Sequence, residues 1–158
     1  DICGDALITA EKDLPLVIRI ADCASILVFD PTKNVIANVH AGWRGFAQKI
    51  IHSAIQKMRE RFLSNPRDLL VGVSPMIGPC CCRFSDPERE LPRAMHKHIT
   101  EENTVNLWST AEEQLRECGV LQNHIENPRI CTFCNPEEFF SYRREGDTGR
   151  FGTAIMLG

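Results

Sequence analysis

Between residues 14 and 62 the chain changes its hydrophobic rhythm once. Leu14–Ala21 (LPLVIRIA) and Ser25–Phe29 (SILVF) are short, nearly continuous apolar runs rich in Val and Ile, the pattern of buried strands. Asp30-Pro31-Thr32-Lys33-Asn34 is a dense turn signal, and Val35–His40 (VIANVH) is a third run of the same kind. The second and third runs are therefore expected to form a hairpin. Pairing Asp30 with Val35 sets Ser25 opposite His40 and brings Cys23 close to Gly42, so Cys23 and His40 meet at the open end.

After Ala41-Gly42-Trp43-Arg44-Gly45 the rhythm becomes helical. Phe46, Ile50, Ala54, Met58 and Phe62 recur at a spacing of four, with Ala47, Ile51 and Ile55 beside them. This predicts one amphipathic helix of about 18 residues, ended by Asn65-Pro66. Leu69–Ile77 reads as a strand, Gly78-Pro79-Cys80 as a turn, and Leu91–Ile99 as a helix. Ser109-Thr110-Ala111-Glu112 has the form of a capping box at the start of a short helix, with Gly119 as its C-terminal cap. Ile130–Phe133, Phe139–Arg143 and Phe151–Leu157 are expected to be extended. No repeat or linker interrupts the chain, which predicts a single mixed α/β domain.

Composition narrows the function classes. The 158 residues are 43% hydrophobic and 25% charged, enough for a real core. Eighteen Lys and Arg against 21 Asp and Glu give a net charge of -3 without a basic stripe, which argues against nucleic acid as a partner. No apolar run reaches the roughly 20 residues of a membrane span, and nothing resembles a signal peptide. A cytoplasmic protein is expected. The eight cysteines (3, 23, 80, 81, 82, 118, 131 and 134) are then expected to be reduced, and the adjacent Cys80-Cys81-Cys82 fits no tidy disulfide pattern.

Cys23 and His40 are the leading candidates for chemistry, because a thiolate beside an imidazole is either a metal site or an activated nucleophile. Gly42 and Gly45 remove side chains where a ligand could approach, and Arg44 places a cation in the first turn of a helix. Cations are disfavoured there, so an anionic substrate group is expected nearby. Cys131-Thr132-Phe133-Cys134 could join Cys80–Cys82 in a four-thiolate zinc site. The triple run lacks the spacing of a second pair, so buried or incidental thiols are the plainer expectation. His96-Lys97-His98 is expected to be a solvated surface pair, and five histidines are too few for a multi-copper centre. Phe140-Ser141-Tyr142-Arg143-Arg144 and Arg150 combine aromatic rings with guanidinium groups suited to phosphate or carboxylate.

Ala21-Asp22-Cys23 and Val39-His40-Ala41-Gly42-Trp43-Arg44-Gly45 resemble the YfiH family, the polyphenol-oxidoreductase laccase domain also described as purine nucleoside phosphorylase. Gly4-Asp5-Ala6-Leu7, Ile77-Gly78-Pro79-Cys80-Cys81, Cys131-Thr132, Phe139–Arg144 and Thr148-Gly149-Arg150 extend the resemblance along the chain in the family's order. The resemblance implies an α/β/α sandwich around a mixed sheet. It also implies zinc held by Cys23, His40 and a second histidine, with copper as the alternative metal. That second histidine belongs to a Gln-x-His-Gly motif upstream of Gly4, so residues 1–158 are expected to be an N-terminally incomplete single domain. Cys82-Arg83-Phe84 departs from the family's Tyr-Glu-Val, which implies an altered pocket wall.

The implied substrates are a purine nucleoside and phosphate, with phosphorolysis of adenosine or inosine, adenosine deamination at C6, or both. Cys23, His40 and Arg44 would be catalytic, and Gly42, Arg44, Ser141, Arg143 and Arg144 would contact substrate. Two alternatives stand beside this: a Cys-His hydrolase or amidase acting on a cell-wall precursor, and a copper-dependent polyphenol oxidase. Phenol oxidation fits poorly, because zinc in a Cys/His₂ site has no redox chemistry.

Overall fold

The computed structural model describes residues 4–158, so Cys3 lies outside the described residues. Strands β1 (Ala6–Thr9), β2 (Leu16–Ile20), β3 (Ala24–Asp30) and β4 (Val35–Ala41) come first, followed by β5 (Leu70–Val73), β6 (Ile125–Glu126) and β7 (Phe151–Ile155). They form a five-stranded sheet in the order β1-β4-β3-β5-β6 and a separate β2-β7 ribbon. The sheet is mixed, because β5 and β6 run parallel while its other pairs are antiparallel. Helices α1 (Trp43–Ala47), α2 (Ile50–Phe62), α3 (Pro87–Glu90), α4 (Leu107–Glu117) and α5 (Tyr142–Glu145) complete the α/β fold.

The β3–β4 hairpin has the expected register, with Asp30 opposite Val35 and Ser25 opposite His40. Its loop is closed by the Asp30 carboxylate, which accepts from the Thr32 N–H (2.9 Å), the Thr32 hydroxyl (2.8 Å) and the Lys33 N–H (3.0 Å). Asn34 then takes the left-handed conformation (φ 51°) that this residue type tolerates.

Alternation along β3 and β4 builds two faces. Ile26, Val28, Val35, Ala37 and Val39 share one core with Ile51, Ile55 and Met58 of α2 and Leu115 of α4. Each such side chain contributes about 1.5–3 kcal/mol on burial, and truncating Met58 to Ala would cost about 2–5 kcal/mol. On the other face Ile36 packs with Leu16 and Leu157 under the ribbon. A polar seam fixes that ribbon. Ser25 Oγ donates to Asn38 Oδ1 (2.5 Å), Asn38 Nδ2 donates to the Leu16 and Thr153 carbonyls (3.0 and 3.1 Å), and the Thr153 hydroxyl donates to Ser25 Oγ (2.7 Å).

Several local expectations are corrected. The single helix after Gly45 is two, broken where Lys49 turns left-handed (φ 57°, ψ 44°). The stripe reports which side is buried, and both pieces bury the same side, so a one-residue turn leaves the spacing intact. The strand from Leu69 stops at Val73, because Pro75 offers no N–H; beyond it Met76 makes only an isolated bridge to Cys131. Leu91–Ile99 forms a 3₁₀ segment, Arg93–His98. Helix α4 starts before the capping box: Asn106 Oδ1 accepts from the Ser109 N–H (3.1 Å), while Glu112 pairs with Arg129 (2.8 Å). Gly119 does take a positive φ (97°) after the helix. Phe139–Arg143 is not a strand but leads into the one-turn helix α5.

Candidate functional site

The open end of the hairpin becomes a site because three chain turns converge there. Asp22 enters β3 in a left-handed conformation (φ 83°), which presents Cys23 beside the exit of β4. A Cβ at Gly42 would stand 3.0 Å from Cys23 Sγ, so glycine keeps the flank of the thiol open. Strand β1 pairs with β4 and carries Asp5 to His40. The Asp5 carbonyl accepts from the His40 N–H (2.7 Å), and Asp5 Oδ1 lies 3.0 Å from His40 Nδ1. Hydrogen bonding to Cys23 raises the His40 pKa to about 9; burial opposes this, and the Asp5 carboxylate adds to it.

Asp22 ties the pocket walls together from behind. Its buried carboxylate accepts from the Thr132 hydroxyl (2.6 Å) and from the Arg143 N–H (2.7 Å), which holds α5 against the site. The resulting cavity has a volume of about 720 Å³, within the usual range for small-molecule sites. Cys23, His40 and Gly42 line it together with Arg19, Arg44, Arg143 and Arg150; Arg143 also donates to the Arg83 carbonyl (2.5 Å), and Arg150 to the Thr148 and Gly149 carbonyls (2.7 and 2.8 Å). The Arg44 guanidinium lies 4.3 Å over the Trp43 ring, and Trp43 meets Phe84 edge to face at 5.6 Å. The Cys82-Arg83-Phe84 segment thus helps to build the wall: Cys82 lines the cavity, and burial pushes its thiol up to about 12.

The sequence-predicted residues divide at this point. Cys23, His40, Gly42, Arg44 and Arg143 come together, whereas Ser141 and Arg144 lie outside the lining. Ser141 is fully buried and caps α5 by accepting from the Arg144 N–H (3.2 Å). The Arg144 guanidinium donates to the carbonyls of Thr132, Phe133 and Phe139 at 2.8–2.9 Å, leaving it to hold the chain rather than a substrate. His96 and His98 are not a solvated pair. His98 is nearly buried between Glu113 (2.7 Å) and Ser109 (2.8 Å), and His96 Nε2 lies 2.9 Å from the Leu91 carbonyl. Tyr142 and Arg150, from the aromatic and arginine-rich segment, also line the cavity, and Asp5 and Arg19 join the site without having stood out in the sequence. Asp5 needed the β1–β4 register to become visible.

A second cluster also forms. Cys80, Cys81, Cys131 and Cys134 place their sulfurs within 4.8 Å of one another, a proximity that the spacing of the triple run does not predict.

The model of the family described as multi-copper polyphenol oxidoreductase laccase matches residues 2–158. The chain belongs to this family. Among relatives, it is 38% identical to a purine nucleoside phosphorylase of Clostridium acetobutylicum, covering 97% of this chain and 66% of that protein. It is 33% identical to a purine nucleoside phosphorylase of Bacteroides thetaiotaomicron, covering 97% and 60%. The crystal structure of Bacillus licheniformis hypothetical protein YfiH superposes with a TM-score of 0.89 at 32% identity, covering 98% of this chain and 61% of that one. The chain therefore spans about three fifths of the length of such relatives. No helix among the described residues is long and apolar enough to cross a membrane.

The laccase family's name implies copper, and the donors can be tested against that. Cys23 and His40 offer one soft thiolate and one imidazole whose second nitrogen is oriented by a carboxylate, a pairing that suits zinc. His40 is the one histidine among the described residues that lines the cavity, whereas a multi-copper centre needs several imidazoles. The open flank at Gly42 leaves room beside Cys23 Sγ for an ion. The donors present, one thiol and one imidazole, fit a zinc ion.

Proposed function

We propose that the complete protein is a zinc-dependent purine nucleoside phosphorylase whose reaction takes place in the Cys23–His40 cavity. The observation that carries this reading is that Arg19, Arg44, Arg143 and Arg150 line the same cavity as the Cys23 thiol and the His40 imidazole. Phosphorolysis needs a site for phosphate next to the glycosidic bond, and planar, permanently charged side chains suit that anion. The names of the relatives support the same substrate class.

In this reading Cys23 and His40 hold the ion, and Asp5 keeps the His40 ring oriented through Nδ1. Bound there, zinc supplies Lewis-acid polarisation of a substrate atom. Arg143 and Arg44 hold the phosphate in line with the ribose carbon, and the Trp43 and Tyr142 rings offer flat surfaces to the base. Asp22 positions Arg143 through its backbone N–H and does not touch substrate. Deamination at C6 requires no anion site, so the arginines lining the cavity favour phosphorolysis. The protein would act on free nucleosides in the cytoplasm, as a single domain that needs neither nucleic acid nor a membrane.

One observation supports a second reading. Cys23, His40 and Asp5 also stand in the order of nucleophile, base and orienting carboxylate, the arrangement of a Cys-His hydrolase or amidase. Product analysis separates the two. The complete protein, given adenosine with and without phosphate, is expected to release adenine and ribose 1-phosphate only when phosphate is present. Cys23→Ala and removal of the metal should each abolish that release. Inosine as the only product would turn the reading to deamination. Chelator-resistant activity, with selective alkylation of Cys23, would turn it to the hydrolase.

A further inference from the structure

The second thiol cluster shares no residue with the Cys23–His40 site, and its geometry is that of a cage. Cys134 Sγ lies 3.5 Å from Cys81 Sγ and 3.6 Å from Cys80 Sγ, and all four sulfurs fall within 4.8 Å of one another. Around a tetrahedral ion with Zn–S bonds of about 2.3 Å, sulfurs sit about 3.8 Å apart. Four sulfurs this close surround one ion and leave no room for a two-iron core. Separations of this size are also far beyond the roughly 2.05 Å of a disulfide bond.

The backbone supports the same arrangement. In the Gly78–Cys82 turn the N–H groups of Cys81 and Cys82 donate to the Gly78 carbonyl (3.0 and 2.9 Å), which brings Cys80 and Cys81 to one side. The Gly78 N–H points at Cys131 Sγ (3.2 Å), the kind of outer contact that stabilises a thiolate ligand. On the facing turn Asn135 Nδ2 donates to the Cys131 carbonyl (2.8 Å), fixing the start of the Cys131–Cys134 pair. Cys80 and Cys134 are exposed, so an ion has an entry path, while Cys131 is buried.

We propose that Cys80, Cys81, Cys131 and Cys134 form a structural metal site that takes one zinc-class divalent ion through four thiolates. On binding, each S–H gives its proton to solvent and each sulfur gives a lone pair to the ion; nothing is oxidised or reduced. The ion joins the 78–82 turn to the 131–134 turn. Thr132, between two of the ligands, holds Asp22 through its hydroxyl and Arg144 through its carbonyl, so the staple stiffens the wall on which Arg143 is mounted.

The test is zinc stoichiometry of the complete protein, purified under reducing conditions, together with its cobalt-loaded spectrum. Wild type is expected to hold one equivalent per chain more than Cys80→Ser/Cys134→Ser. Cys23→Ala and Cys118→Ser should keep that equivalent, which separates this site from the one in the cavity. In a Cys23→Ala background, cobalt-loaded protein should show strong thiolate-to-cobalt absorption that is lost when Cys80→Ser and Cys134→Ser are added. Equal metal content in wild type and the double variant overturns the proposal. So does a disulfide between Cys134 and Cys80 or Cys81 in the reduced preparation, or an iron–sulfur spectrum. If the double variant fails to fold, cobalt-loaded Cys23→Ala decides alone: no thiolate-to-cobalt absorption refutes the site.

Discussion

Replacing Asp22 probes how the walls of the cavity are held together. The residue is 8% exposed, its carboxylate accepts 2.6 and 2.7 Å hydrogen bonds from Thr132 and Arg143, and its backbone sits at φ 83°. In Asp22→Asn the amide oxygen still accepts from the Arg143 N–H, and the new NH₂ turns towards the Thr132 hydroxyl. Charge assistance is lost at both bonds, for a cost of about 1–2 kcal/mol. In Asp22→Ala both donors lose their acceptor, and an alanine must hold a left-handed conformation worth roughly 1 kcal/mol. The sum is about 3–5 kcal/mol. Asp22→Gly removes the backbone part and should recover about 1 kcal/mol relative to alanine. Urea unfolding at neutral pH, with m unchanged, reads these differences. A cycle with Thr132→Val should show a coupling of about 1–2 kcal/mol. Asp22→Ala within 1 kcal/mol of wild type, or Asp22→Asn costing more than Asp22→Ala, would refute the reasoning.

Other perturbations separate the remaining roles. Gly78→Ala drives a Cβ to 2.6 Å from the Trp108 ring and 3.2 Å from Cys131 Cβ, so thermal unfolding should show a loss of about 1–3 kcal/mol. Arg144→Lys replaces a fork serving three carbonyls with a single ammonium and should cost about 1–2 kcal/mol by denaturant titration, with substrate affinity changing far less than in Arg143→Ala. Asp5→Asn weakens the orientation of His40 and is expected to lower nucleoside turnover by about 10–100-fold while the urea midpoint stays put. The Asp30 pKa is lowered: burial works against ionisation, and hydrogen bonds from Thr32 and the Lys33 N–H help to outweigh it. A depressed folded pKa gives stability that is present above the unfolded value of about 3.9 and lost as pH falls through the folded value. The stability gap between wild type and Asp30→Asn should therefore close below about pH 4 in urea titrations, and a gap that widens there contradicts the assignment.

Local information was enough for the first half of the site. The turn residues at 30–34 and the apolar runs on either side set one register, and that register alone brings Cys23 to His40 and Gly42. Hairpin pairing depends on a loop of known length, so it can be read from the chain. The α/β class and the buried sides of α2 and α4 follow from periodicity for the same reason. Where the backbone bends without changing the buried side, as at Lys49, the sequence carries no mark of it.

The rest required the tertiary structure, because it joins residues far apart in the chain. Asp5 reaches His40 only through the β1–β4 pairing, and Thr132 reaches Asp22 only once the 131–134 turn has packed against Met76. Arg143 and Arg144 are neighbours of the same type, and the sequence gives no ground for separating them. One turn of helix capped by a buried Ser141 leaves the first lining the cavity, with one N–H on the Arg83 carbonyl, and turns the second into three backbone carbonyls. The four clustered thiols illustrate the same limit. A triple cysteine run has no ligand spacing of its own, and the turn after Gly78 together with its packing against Cys131 decides which two of the three sulfurs meet the other pair. The sequence by itself determined the chemistry on offer and the hairpin that presents it. The tertiary structure decided which charges, hydroxyls and thiols share a site, because side chains distant in sequence meet only when the packing of whole elements brings them together.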